Sequence, residues 1–206
     1  MNSFLLSLVF LITFGCYSQG SLKQFRKLSC PEKIWVLTHP FKAKKAMKIT
    51  KQVLTDVDSI KRTGAVGTDM NGGRLDAFKH AYWMASVSSG IGAKKALKLG
   101  KAHEKGNYLE FKKHRLEDSI LPDSVSSAMD LHNNQAGINE YMKNENARSS
   151  KELQPIIMQA LAEGKLQIIK KDKEGNYLYC DGTFIDMNEW SGKWNIPKCL
   201  VPSGKH

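Results

Sequence analysis

The stretch "NGGRLDAFKHAYWMA", residues Asn71–Ala85, places an aspartate and a histidine inside a run that is otherwise nearly all apolar. Carried on to Ser88, it has Leu75, Ala77, Phe78, Ala81, Tyr82, Trp83, Met84, Ala85 and Val87 spread around the whole circumference of a helix, with Lys79 the one charged break after Asp76. A helix that is apolar on nearly every side is a central, buried one. The expected fold is therefore a mainly α, compact helical domain wrapped around residues 74–88. Asp76 and His80 stand at i and i+4, on one face of that helix. A buried carboxylate without a partner costs several kcal/mol, so something polar must meet them in the core.

Working outward, the glycine-rich "RTGAVGTDMNGG" reads as a loop leading into the central helix. Before it, Pro40 opens a long helix with Ala46, Ile49, Val53, Val57 and Ile60 as its apolar stripe, preceded by a short helix capped by Ser29, with Pro31 and Glu32 in its first turn. His39 reads as a cap between the two. After the central helix, "SGIG" is a break, and "AKKALKLGKAHEKG" sets Ala96, Leu99 and His103 on a face opposite its lysines. "NYLEFKKHRLEDSILPD" reads as a loop with one helical turn, with His114 and Arg115 at the surface. Ser124 is the expected cap of the next helix, "SVSSAMDLHNNQAGINEYMKN", and "SKELQPIIMQALAEG" is the last, with Pro155 tolerated near its first turn. From residue 165 the pattern changes. "KLQIIKKDKEGNYLYCDGTFID" holds two short β-rich runs around a turn, so a small C-terminal β-hairpin is expected, with Trp190 and Trp194 packed against it.

The polar problem of the central helix recurs on two others. His103 and Glu104 lie near the end of the lysine-faced helix, and Asp130, Asn133, Asn134 and Gly137 follow at i, i+3, i+4 and i+7 on one face of the "MDLHNN" helix. Short amide and carboxylate side chains compete for backbone hydrogen bonds, so a helix interior selects against them unless something offsets the loss. Three helices with inward polar groups converge as helical bundles do when they build a metal or catalytic centre. Asp76, His80, His103, Glu104, Asp130 and Asn134 are the expected catalytic set, with Arg74, Trp83 and Asn133 as binding residues. A divalent metal ion would take His80, His103 and Asp130, imidazole and carboxylate being its usual ligands. The alternative is a buried hydrogen-bond network that fixes helix register. Serines 86, 88 and 89 lack the G-x-S-x-G context of a serine hydrolase, and "NGG" falls short of a phosphate loop.

The chain of 206 residues carries a net charge of +11, yet it has only five arginines, at 26, 62, 74, 115 and 148. Specific phosphate or base recognition favours the arginine fork, so no specific nucleic acid is expected. Lysines 44, 48 and 51, and 94, 98, 101 and 105, recur at helical spacing and read as solvated faces. Such charge also attracts anionic envelope surfaces. Near the start, "FLLSLVFLITFG" is too short to span a bilayer and has the length of a signal-peptide core, although no lysine or arginine precedes it. Residues 1–18 are read as that signal, 19–164 as the helical domain and 165–206 as a β-rich extension packed on it. Export to the periplasm or medium follows, either by release after Ser18 or as a lipoprotein through Cys16. In an oxidising compartment Cys180 and Cys199 can close a loop, leaving Cys30 as a small buried thiol.

Three segments, D-A-x-x-H-x-x-W from Asp76, A-H-E from Ala102 and M-D-x-x-N-N-x-x-G from Met129, together resemble an uncharacterised bacterial family of exported or toxin-associated domains. The likeness runs from about Ile34 to Asn134, and more loosely to "KCLVP". Asp76, His80, Trp83, His103, Glu104, Asp130, Asn133, Asn134 and Gly137 match its motifs. The resemblance implies no reaction. The residues themselves lead to an expected hydrolase of an envelope component, lipid or glycan, with a polar or metal site between three helices; the alternative is a non-enzymatic envelope protein with a structural polar core.

Overall fold

The computed structural model describes residues 19–114 and 121–204. The expected signal segment and Cys16 lie outside them, as does part of the segment after His114. Seven helices are described: α1 (Gln19–Lys27), α2 (Cys30–Thr38), α3 (Pro40–Thr63), α4 (Arg74–Ile91), α5 (Ala93–Phe111), α6 (Ser124–Lys143) and α7 (Ser150–Ala162). Two short strands follow, β1 (Gln167–Ile169) and β2 (Leu200–Pro202). No helix among the described residues is long and apolar enough to cross a membrane.

Helix α4 is the axis of the molecule, in contact with α3, α5, α6 and α7. Leu75, Ala77, Phe78, Ala81, Tyr82, Met84, Ala85 and Val87 are all fully buried, as the all-round apolar pattern requires. One side packs with Val53, Val57 and Ile60 of α3 and Leu153, Ile157 and Leu161 of α7. The other meets Trp35, Ala46, Ala96, Leu99 and Ile138. Each large side chain so buried contributes about 1.5–3 kcal/mol. The lysines at 44, 48, 51, 94, 98, 101 and 105 are all partly or fully exposed.

Helix α6 crosses α4 at Gly137, where a Cβ would stand 2.0 Å from the Ala81 carbonyl oxygen. Only glycine permits backbones to approach so closely, and this crossing brings Asp130 level with His80.

Several local expectations are corrected. Helix α5 continues through "NYLEF" because Tyr108 and Phe111 pack on Trp194, at 5.0 and 4.9 Å between ring centroids. Trp194 therefore lies on α5 rather than on the β element. The cap of α6 is Asp123, one residue before Ser124, its carboxylate accepting from the Val125 and Ser126 amides at 2.9 and 3.1 Å. Pro155 sits in the second turn of α7, beyond a Ser149–Glu152 capping box. Cys30 is exposed at the start of α2, not buried. Ser29 does cap α2: Glu32 accepts from both its amide and its hydroxyl, at 2.8 and 2.7 Å.

The small antiparallel sheet pairs β1 with β2 at the chain's end, Ile168 opposite Val201. The anticipated turn is present as a bridge from Lys171 to Tyr177, but the strand partner comes from beyond it. A Cys180–Cys199 disulfide ties the bridged segment to the residue preceding β2. Closing a loop of that size stabilises by about 3 kcal/mol. Cys180→Ser with Cys199→Ser should lower the melting temperature accordingly; a thermal melt within error of the parent would show the crosslink to be dispensable.

Candidate metal centre between α4 and α6

Asp76 lies in the first turn of α4 and His80 one turn later, so the two side chains share a face. Across the α4–α6 crossing, Asp130 presents its carboxylate to the same imidazole. His80 Nε2 is 3.3 Å from Asp130 Oδ1 and 3.6 Å from Asp76 Oδ1. One ligand atom from each of the three falls within 4.8 Å of the others, and all three residues are buried. Asp76 has further partners: its Oδ2 accepts from the Gly72 amide at 2.8 Å, and Oδ1 is 2.9 Å from Lys79 Nζ.

Burial holds the His80 imidazole well below the ordinary histidine range, reinforced by the positive Lys79 and by His103. Asn134 opposes that shift. A neutral imidazole offers the lone pair that a metal needs. The Asn134 amide is 1 % exposed and lies against the imidazole, but among the described residues neither it nor His80 Nδ1 has a partner in full hydrogen-bond geometry. Gly100 of α5 makes room for it, since a Cβ there would lie 3.3 Å from Asn134 Nδ2. Unsatisfied polar atoms in a packed interior are rare and call for a reason.

The trio opens on a cavity of about 50 Å³, walled also by Met70, Gly72, Lys79, Ser126 and Tyr177. That volume holds an ion and a small group rather than a large ligand. Tyr177 arrives from the C-terminal segment, its ring covered by Lys198 Nζ at 3.8 Å and Lys171 Nζ at 4.8 Å from the centroid. Both ammonium groups are matched, Lys198 by the sealed Asp123 carboxylate and Lys171 by Asp69, at 2.7 and 2.6 Å. Burial, with the carboxylates of Asp123, Asp69 and Asp76, pushes the Tyr177 phenol up to about 12, so it remains a proton donor.

The other sequence-selected residues have different positions. His103 is drawn toward α2, its Nδ1 3.1 Å from Glu32 Oε1 and its ring edge-on to Trp83 at 5.4 Å. Its ring centre is 6.4 Å from that of His80, and Asp76 takes the place in the trio that His103 was expected to fill. Although burial opposes it, His103 and Ser29 hold the Glu32 carboxyl below its ordinary range. Glu104 ties α5 to α6 by accepting from Ser127 Oγ at 3.0 Å and Asn107 Nδ2 at 3.3 Å. Trp83 donates to Thr50 Oγ1 at 2.8 Å, and Arg74 donates to the Ser203 carbonyl. Asn133 makes a two-way pair with the Gln167 main chain, at 2.9 and 2.8 Å.

Lys79, Ser126 and Tyr177 join the site without having been expected there. Lys79 carried a usable signal, standing at i+3 from Asp76, and Ser126 stands at i−4 from Asp130. Tyr177 carried none, because its approach depends on the C-terminal segment folding back.

The chain belongs to a family defined by a domain of unknown function, DUF6973, whose model matches residues 33–165. That span contains Asp76, His80 and Asp130 but ends before Tyr177. No curated protein and no solved structure matches the chain.

Asn134 and His114 provide a test of the helix phase. Asn134→Leu should alter both thermal stability and ligand response, because it fills a buried position against His80, whereas His114→Leu, at an exposed residue with left-handed backbone (φ 51°), should cost only a little stability and leave ligand response unchanged. Equal behaviour of the two variants by circular dichroism melting and calorimetric titration would contradict this placement.

Proposed function

We propose that Asp76, His80 and Asp130 hold a divalent metal ion, and that the protein is an exported hydrolase acting on an envelope component, lipid or glycan. The observation that carries this reading is the close approach of two carboxylates and a neutral imidazole beside a cavity. Two oxygens and one nitrogen suit Zn²⁺ or Mn²⁺. An ion there would supply Lewis-acid activation of a water or a substrate oxygen. The protein's own part is to fix the ligands on two helices locked at Gly137, and to keep His80 neutral. The disulfide and the apolar N-terminal run support export, whether the chain is released or attached through Cys16. The basic helix faces favour an anionic envelope surface as a partner.

One observation favours the alternative of a structural polar core: Asp76 and Asn133 both engage main-chain groups. Calorimetric titration with Zn²⁺, Mn²⁺ and Ca²⁺ separates the two readings. Saturable binding of one ion per chain by Zn²⁺ or Mn²⁺ is expected. Absence of binding by all three would leave the structural core as the account of these residues.

A further inference from the structure

The outer face of α2 departs from the pattern of a solvated helix. Cys30, Ile34 and Leu37 stand at i, i+4 and i+7, opposite the buried Trp35, and all three are exposed. Ile34 is 58 % and Leu37 69 % exposed, and Phe41, in the first turn of α3, is 92 % exposed. Among the described residues eight large apolar side chains are exposed, and three of them fall within residues 34–41. Single exposed apolar residues are ordinary, whereas a cluster marks a contact surface. The corner that carries them is firmly built: the His39 ring stacks on Trp35 at 5.0 Å between centroids, and its Nδ1 lies 3.0 Å from the Trp35 carbonyl oxygen. Leu37 and Phe41 stand on either side of that corner, so the apolar ridge needs no refolding to be used.

What surrounds the ridge selects its occupant. Lys44, Lys45 and Lys48 follow Phe41 at i+3, i+4 and i+7 and are exposed, with Lys42 and Lys51 exposed beside them. From Lys33 to Thr55 the chain carries six lysines and no acid. Glu32, just before, is turned to Ser29 and His103. A second copy docked by twofold symmetry would set this lysine belt against itself. A nucleic acid offers little to Ile34, Leu37 and Phe41. A bilayer with anionic headgroups satisfies both halves, the apolar side chains entering the boundary of headgroup and acyl chain while the lysines meet the phosphates and lay their stems along the interface.

We propose that the α2–α3 corner is a docking surface for bilayers with anionic headgroups, Ile34, Leu37 and Phe41 inserting and Lys44, Lys45 and Lys48 holding the headgroups. This gives the envelope partner proposed above its place on the molecule; it rests on that part of the reading and not on the metal centre.

Cys30 supplies a reporter on the same face. In the intact chain carrying Cys16→Ser, an environment-sensitive thiol dye on Cys30 is followed as vesicles of phosphatidylethanolamine and phosphatidylglycerol are added, with phosphatidylcholine vesicles as the neutral arm. Emission should shift to the blue with the anionic vesicles alone. Phe41→Ser should lower the partition coefficient about tenfold or more. Lys44→Glu with Lys48→Glu should lower it at least about tenfold and reduce its salt dependence. Because these side chains are exposed, circular dichroism melts of the variants should match the parent, and Leu37→Ser repeats the test at a second position. Anionic-vesicle binding that ignores both Phe41→Ser and Leu37→Ser overturns the docking ridge while leaving an anionic partner elsewhere on the chain. No binding by the parent overturns both. Emission already blue-shifted without vesicles, or shifting with protein concentration alone, shows the ridge covered by another segment or by a second copy, and overturns the proposal.

Discussion

Asp130→Ala should weaken Zn²⁺ or Mn²⁺ binding by about a hundredfold or more while leaving the helical fold in place. Loss of a residue that merely orients a ligand already costs roughly 10- to 100-fold in many metal sites, and Asp130 is placed as a ligand itself. It faces His80 Nε2 at 3.3 Å from the opposing helix, so its removal opens one side of the trio. Asp76→Ala is a less clean experiment. It would strip the Gly72 amide of an acceptor and Lys79 of a counter-charge, adding about 1–3 kcal/mol of destabilisation to any loss of binding. Circular dichroism melts alongside calorimetric titration report both quantities. Unchanged affinity in a folded Asp130→Ala protein would remove Asp130 from the centre.

Gly137→Ala should cost more stability than a methyl group added at any other glycine of the described helices. The new Cβ would lie 2.0 Å from the Ala81 carbonyl oxygen and 2.8 Å from Ala81 Cα, and backbone atoms of a fully buried helix cannot step aside as a side-chain tip can. The helices must separate. Overpacking of this kind costs about 3 kcal/mol or more, which for a chain of this size lowers the melting temperature by about 6–12 °C. Metal affinity should fall too, although no ligand is changed, because Asp130 and Asn134 ride on the displaced helix. A melting temperature within about 2 °C of the parent would show that α4 and α6 tolerate a wider crossing.

The sequence was most informative where a pattern is local. Residues 74–88 reveal a central helix because apolar side chains fill every angular position, and burial of Leu75, Phe78, Tyr82 and Met84 follows from that alone. The polar face of α6 was equally legible, since Asp130, Asn133, Asn134 and Gly137 repeat at helical spacing. What the spacing does not encode is which neighbour each polar group meets. His80 and His103 look alike in sequence, yet α2 brings Glu32 to His103, while α6 brings Asp130 to His80. Glu32 could be seen only as a capping residue, a role it also fills. Asn133 and Asn134 are adjacent and chemically identical, but the turn of the helix sends one to the Gln167 backbone and the other toward His80. The extension of α5 to Phe111 depends on Trp194, a contact no local propensity contains.

The pairing of Asn133 with Gln167 has a consequence for β1 as a strand. Toward β2, its flanking residues are engaged through the Ser203-to-Leu166 and Lys170-to-Cys199 hydrogen bonds. On the opposite edge, the Asn133 amide meets both the N–H and the carbonyl of Gln167, as a neighbouring peptide unit would, and the Ile169 amide donates to the Gly72 carbonyl at 2.7 Å. One side chain and one loop carbonyl thus stand in for a missing strand. Exposed strand edges are templates for pairing with other chains. By occupying this edge from within, the helical body denies a β-rich tail the means of recruiting a second molecule through β1.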